Sequence, residues 1–211
     1  MFTEQQEKWL KRVEELFFKL GIKSITMDDV ARELGISKKT LYAFVESKDD
    51  LVSKVMDRHM AEQCRIDEAV HAKSANAIDE MVRLIQQIMT DLGQMKPNVV
   101  HEMQKYHRDV WDRIHDFQQS YILNLARQNL EWGCREGLYR LDFDVEIAAR
   151  FYIAGAMSIF DEQYFPKPPY TFDGLFKEFI TNYLYSLVSE KGLNVLKEKL
   201  ETDSNATTHK T

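Results

Sequence analysis

Residues 36–48 concentrate side chains whose chemistry suits phosphate and base contacts. Three lysines and a single acid, Glu46, occur in this stretch, although the whole chain of 211 residues carries a formal net charge of −6. Lysine ammonium groups bind phosphate oxygens and guanine edges, and short hydroxyl side chains reach bases or phosphates. The residues with this chemistry are Lys38, Lys39, Thr40, Tyr42 and Lys48. The local positive patch predicts contact with nucleic acid.

Three closely spaced helix starts would position these side chains. Thr26, Ser37 and Ser47 are each a good N-cap residue, with Val30 and Leu41 at hydrophobic-staple positions after the first two and Asp50 at the capping-box position after the third. Between the first two caps, Ala31 allows two helices to approach closely, and Gly35 suits a left-handed turn. This pattern predicts a helix-turn-helix whose second helix, about 37–44, enters a major groove.

Residues 25–51 resemble the TetR/AcrR family of bacterial regulators. The resemblance is carried by I-T-M-D-D-V-A-R-E-L-G-I-S-K-K-T-L-Y-A-F-V-E-S-K-D-D-L. It implies a homodimer with one three-helix DNA-binding domain per subunit. It also implies DNA contacts from Thr26, Ser37, Lys38, Lys39, Thr40, Tyr42, Phe44 and Lys48. The chain departs from the family pattern at Lys39, Phe44 and Val45, and Phe44 loses a polar contact there.

The rest of the chain predicts an all-α fold. Only four prolines and eight glycines occur, and apolar residues recur with a helical period along most of the sequence. We expect an N-terminal three-helix bundle with a helix-turn-helix at 1–48. A C-terminal helical bundle for effector binding and dimerisation should follow at 49–200, and a disordered polar tail at 201–211.

Charge and cysteine content limit the class of protein. Residues 1–48 carry nine basic and eight acidic side chains, whereas residues 49–211 carry 19 and 26, so we expect any DNA contact at the N-terminal end. Two distant cysteines indicate no disulfide framework, and a polar start with no long apolar segment predicts a cytoplasmic protein. No catalytic or metal-binding motif appears, although Asp112, His115 and Asp116 share a helical face. We therefore expect no enzyme, no metal and no cofactor.

An effector pocket is expected among the helices between residues 78 and 136. Aromatic rings and methionines give an apolar wall, and His115 and Gln118 could orient a ligand. The candidates are Met89, Met103, Tyr106, Trp111, His115, Gln118 and Tyr121. The alternative is that this set is ordinary core, since such stripes usually pack internally.

The last two strong helices predict the dimer interface. Small residues at 148–158 permit close helix approach, and residues 175–188 form a wide apolar face. The predicted interface residues are Ala148, Phe151, Gly155, Ile159, Phe176, Phe179, Ile180, Tyr183 and Leu187. The alternative is that this face packs within the protomer.

The sequence thus favours a DNA-binding transcriptional regulator. We expect a repressor that leaves a palindromic operator when a small, largely apolar ligand binds, because such a ligand can favour the released conformation. The alternative function is a helical protein-interaction or adaptor module that binds no DNA.

Overall fold

The computed structural model describes residues 2–96, 98–161, 163–166 and 169–208. Within these ranges the regular structure is helical, and an isolated antiparallel bridge pairs Tyr139 with Val188. None of the described helices is both long and apolar enough to cross a bilayer. The prediction of an all-α chain with an N-terminal helix-turn-helix is confirmed.

Eleven α-helices and one π-helical segment succeed one another in the described ranges. They are α1 (Glu4–Leu20), α2 (Met27–Leu34), α3 (Lys38–Phe44), α4 (Lys48–Lys73), α5 (Ala77–Gln94), α6 (Asn98–Tyr106), α7 (Arg108–Phe117), the π segment (Gln118–Ile122), α8 (Leu123–Arg135), α9 (Val145–Ser158), α10 (Phe172–Leu187) and α11 (Glu190–Thr208).

The chain divides into two compact units. The first consists of residues 1–66 and 91–117, and the second consists of residues 67–90 and 118–211. The first unit therefore joins the N-terminal helices to the start of α4 and to α6 and α7. The boundary after residue 48 between a DNA-binding domain and an effector-binding domain stays a prediction.

The core of the N-terminal bundle follows the apolar period of its helices. Leu10, Val13 and Phe17 lie one turn apart on α1, and each is at most 1% exposed. Leu41 of α3 is 0% exposed and Val45 directly after it is 1% exposed. Burial of these side chains stabilises the bundle and fixes the orientation of α3.

A buried polar network organises the second unit. The Asn129 side chain donates hydrogen bonds to the Ala77 carbonyl and to Glu80 Oε2, and it accepts one from the Tyr139 hydroxyl. The Tyr139 ring lies against Gly133, where an added Cβ would come within 2.1 Å of the ring. These paired polar groups stabilise the unit because an unpaired buried donor or acceptor is costly.

Two regions differ from the sequence-based boundaries. A single helix is predicted over about 108–136, but a π segment at Gln118–Ile122 separates α7 from α8. The helix α11 runs to Thr208, beyond the predicted start of the tail at 201, because extending an existing helix adds one backbone hydrogen bond per residue. Residues 209–211 of that tail lie outside the described residues.

Candidate nucleic-acid interface

The turn between α2 and α3 has the geometry that the sequence predicts. Gly35 adopts φ 66° and ψ 29°, which is left-handed backbone, and its amide donates to the carbonyls of Ala31 and Arg32. An N-cap residue precedes each helix: Thr26 accepts from the Asp29 amide, and Ser37 accepts from the Thr40 amide at 3.0 Å. These caps satisfy amides that would otherwise lack partners, so both helices begin sharply.

Helix α3 presents one apolar and one polar face. Leu41 is fully buried, and Val45 after the helix is buried beside the same core. The side chains on the other face are exposed; they are Ser37, Lys38, Lys39, Thr40 and Tyr42. This is the geometry of a recognition helix, in which packed helices behind it hold a polar face toward a groove.

The charged groups around α3 are mostly accessible to a phosphate. Lys38 forms an ion pair with Asp28 at 2.9 Å, and both side chains are more than half exposed. Asp28 lies on the exposed face of α2, and its pairing with Lys38 is not predicted from the sequence. The hydrogen bond from Lys38 to Asp28 raises the pKa of the ammonium, so Lys38 remains charged at neutral pH.

Lys48 is more enclosed than the α3 lysines. Its ammonium donates to the Lys23 carbonyl at 3.3 Å, and burial lowers the pKa of this group. Thr26 is exposed, but its hydroxyl donates to Asp29 Oδ2 at 2.6 Å as part of its capping box. A phosphate contact from Thr26 therefore requires this hydroxyl to change its partner.

Phe44 belongs to the packing of the bundle. Its half-buried ring contacts Trp9, with centroids 6.1 Å apart, and Phe2, with centroids 6.3 Å apart. The Lys54 ammonium lies 5.8 Å from the centroid of the same ring. A DNA contact from Phe44 stays a prediction.

The predicted effector residues fall in both units. In the first unit, Met103 is buried, Trp111 is half-buried, and Tyr106 and His115 are exposed. In the second unit, Met89, Gln118 and Tyr121 are half-buried. The Gln118 side-chain oxygen is buried without a hydrogen-bond partner among the described residues. Asp112 and Asp116 are exposed like His115, and the described residues contain no group of three or more side chains arranged to hold a metal.

A cavity of about 670 Å³ opens within the first unit, between α1 and α4. Glu14 lies in it and binds both the Arg58 guanidinium and His59 Nδ1. The lining residues are Lys11, Glu14, Glu15, Phe18, Lys19, Arg58, His59, Glu62, Gln63, Ile66 and Asp91. None of the predicted effector residues lines this cavity, so their role stays a prediction.

The predicted interface residues divide by burial within the protomer. Phe151 is 69% exposed, whereas Gly155, Phe179 and Tyr183 are half-buried. The remaining five are buried; they are Ala148, Ile159, Phe176, Ile180 and Leu187. An added Cβ at Gly155 would lie 2.2 Å from the Phe179 ring, so part of this apolar face packs α9 against α10.

Comparisons with known proteins agree with this geometry. Residues 10–55 match the model of the family described as bacterial regulatory proteins, tetR family. The uncharacterized HTH-type transcriptional regulator YvaF of Bacillus subtilis is 27% identical over 150 residues, which cover 70% of this chain and 77% of that protein.

Solved structures share the fold over most of the chain. A TetR-family regulator from Agrobacterium tumefaciens has a TM-score of 0.68 at 14% identity, covering 88% of this chain and 98% of its own. A transcriptional regulator from Saccharomonospora viridis in complex with choline has a TM-score of 0.67 at 18% identity, with the same coverage.

The fold and the exposed α3 define a helix-turn-helix transcriptional regulator that binds DNA. The N-terminal part of the chain, residues 10–55, matches the TetR family of bacterial regulatory proteins.

Proposed function

We propose that this regulator is a homodimeric, cytoplasmic repressor that leaves a palindromic operator when a small, largely apolar ligand binds. The observation that carries the proposal is the exposed polar face of α3, held in place by the buried Leu41 and Val45. Two copies of this helix would enter successive major grooves about 34 Å apart, which matches the symmetry of a palindrome.

An exposed apolar stripe on α9 supports the dimer. Ile147 and Phe151 are 54% and 69% exposed, and Ala154 is exposed one turn further along the same face. Soluble monomers rarely leave such neighbouring apolar side chains in water, so a second copy is the proposed cover.

The Gln118 side chain is evidence in favour of a ligand site in the second unit. Its Oε1 atom is buried without a hydrogen-bond partner among the described residues, and it lies in the π segment between α7 and α8. Single-turn π segments are frequent at functional sites, and an orphaned buried acceptor is costly unless a donor arrives. We therefore propose an effector that is largely apolar and carries one hydroxyl or amine donor.

The choline complex of the Saccharomonospora viridis neighbour supports a small-molecule effector for this fold. In this chain, α4 contributes residues 48–66 to the first unit and residues 67–73 to the second, so it is the proposed link between ligand and DNA. A ligand that prefers the released conformation a hundredfold shifts the equilibrium by about 2.7 kcal/mol.

A gel-shift assay against the protein's own upstream DNA tests the operator. Wild type should bind that DNA more tightly than a scrambled duplex, and the complex should weaken steeply with added salt. Lys39→Ala and Thr40→Ala should change the base preference if these side chains contact bases. An unchanged base preference in both variants would contradict the proposed contacts, whereas a wild type that binds no DNA would favour the adaptor function.

A thermal-shift screen tests the effector. A ligand that binds the folded protein raises its melting temperature, and the proposed hydrogen bond makes that shift depend on Gln118. Gln118→Leu keeps a similar volume and removes the acceptor, so a donor-bearing hit should lose most of its shift. An undiminished shift would place the ligand elsewhere.

A further inference from the structure

Two lysines converge on Tyr106 at the end of α6 in the first unit. The Lys23 ammonium lies 3.4 Å from the Tyr106 hydroxyl and 5.1 Å from the centre of its ring. The Lys105 ammonium lies 5.4 Å from the same ring centre. All three side chains are exposed, with Tyr106 at 47%. Lys23, Lys105 and Tyr106 together form the α6 patch.

We infer that the α6 patch binds DNA phosphates outside the recognition helix, so that the DNA contact surface includes α6 as well as α2, α3 and the start of α4. The partner is the backbone of the same duplex that α3 enters. Such contacts would add affinity and position the protein without selecting a base sequence.

The α6 patch lies beside residues for which the family resemblance implies DNA contacts. The Lys48 ammonium donates to the Lys23 carbonyl at 3.3 Å. Thr26 follows Lys23 by three positions and caps α2. A phosphate between Lys48 and Thr26 would therefore lie near Lys23, and Lys105 would be available to the next phosphate along the strand.

The structure fixes the α6 patch to the DNA-binding bundle. The Lys23 amide donates to Glu102 Oε2 at 2.8 Å, and Glu102 Oε1 accepts from the Asn98 side chain at 2.7 Å. His107 Nδ1 also lies 2.9 Å from Asp49 Oδ1, which forms an ion pair when the imidazole is protonated. Because the hydrogen bonds of Glu102 lie within one compact unit, α6 holds a defined position relative to the loop that carries Lys23.

The electrostatics favour an anion at this position. Two acids, Glu102 and Asp49, lie near the α6 patch, but three lysines, Lys23, Lys48 and Lys105, outnumber them. The hydrogen bond with Lys23 and the charge of Lys105 lower the pKa of the Tyr106 hydroxyl, which reports a positive potential at that oxygen. A phosphate oxygen in the same potential gains favourable energy and displaces counterions.

The DNA contact surface would then extend beyond the N-terminal end of the chain. The charge distribution of the sequence confines DNA contact to the N-terminal end, whereas α6 begins at residue 98. A displacement of α6 would then alter the DNA interface directly, without first moving α3.

The test measures the salt dependence of binding to a mixed-sequence duplex of about 30 base pairs by fluorescence anisotropy. Lys23→Gln and Lys105→Gln keep a polar side chain of similar size and remove the charge. Lys48→Gln probes the DNA contact that the family resemblance implies for Lys48. Lys11→Gln is the matched control, since Lys11 is an exposed lysine of the same unit that lines the α1–α4 cavity.

Each lost phosphate contact should reduce the slope of log affinity against log salt by about 0.9. Wild type should therefore lose about 3.5-fold more affinity than Lys105→Gln between 50 and 200 mM salt. Lys11→Gln should keep the wild-type slope, and thermal melting should show that all variants are folded. If Lys48→Gln lowers the slope while Lys23→Gln and Lys105→Gln match Lys11→Gln, the α6 patch does not bind DNA.

Discussion

The Lys38 ammonium lies 2.9 Å from the Asp28 carboxylate, so the first lysine of the recognition helix is paired with an acid of the preceding helix. The two side chains are 53% and 62% exposed, and exposed pairs of this kind contribute about 0–1 kcal/mol. A DNA phosphate can therefore replace Asp28 as the partner of Lys38 at little energetic cost. In the free protein, this ion pair links Lys38 of α3 to Asp28 of α2.

Removal of the Asp28 charge should strengthen DNA binding. Asp28→Asn frees Lys38 and removes one repulsive charge next to the phosphates, so affinity for a mixed-sequence duplex should rise roughly twofold to fivefold, corresponding to about 0.4–1 kcal/mol. Fluorescence anisotropy at low salt measures this change. Glu33→Gln is the control because Glu33 lies on the same helix and pairs with Arg12. An equal gain from both variants would mean that net charge, and not the Lys38 pair, sets the effect.

Variants of two neighbouring residues of α3, Leu41 and Tyr42, should affect stability and DNA binding separately. Leu41 is 0% exposed and Tyr42 is 45% exposed. Leu41→Ala should lower the free energy of unfolding by about 2–5 kcal/mol, because it leaves a cavity in the bundle core. Tyr42→Phe should leave the stability within about 0.5 kcal/mol of wild type and weaken DNA binding through loss of the hydroxyl. Urea unfolding and anisotropy distinguish the two variants, and unchanged DNA affinity in Tyr42→Phe would remove Tyr42 from the interface.

Protonation of Asp79 should lower the stability of the protein in acid. Burial alone would raise its pKa, but hydrogen bonds from Lys199, the Ala75 amide and Arg83 lower the pKa to about 2. Since the folded pKa is below the ordinary value of 3.8, the stabilisation is complete above that pH and is lost as the pH falls toward 2. The loss amounts to roughly 2 kcal/mol. Urea unfolding between pH 5 and pH 2 should show a shallower decline for Asp79→Asn than for wild type. Parallel curves would show that Asp79 does not contribute to acid sensitivity.

Local chemistry makes the helix-turn-helix predictable from sequence. Thr26, Ser37 and Gly35 act within four residues of their own positions, so their capping and turn roles follow from residue type and spacing. The same holds for Asp144, which caps α9 through the Ile147 amide at 2.9 Å.

Long-range packing makes other features unpredictable. Tyr139 binds Asn129, and Asn129 binds Glu80 at 49 positions' separation, so the spacing of these residues gives no sign of the network. An apolar period shows that α10 has a buried face, but it does not show what covers that face. Phe176 and Ile180 are buried within the protomer, as the alternative interpretation allows, and their part in a dimer stays a prediction.

Phe151 provides the sharpest test of the proposed dimer. Its side chain is 69% exposed, so Phe151→Asp should cost the isolated protomer little, yet it should place a charge at the centre of the α9 stripe in a dimer. The dimer should weaken by at least about 30-fold, corresponding to about 2 kcal/mol at a central aromatic position. Tyr164→Asp is the matched control, because Tyr164 is 70% exposed and lies outside α9 and α10. Analytical ultracentrifugation over a concentration series should show dissociation in Phe151→Asp alone, and a wild-type dimerisation constant in that variant would exclude the α9 stripe as the interface.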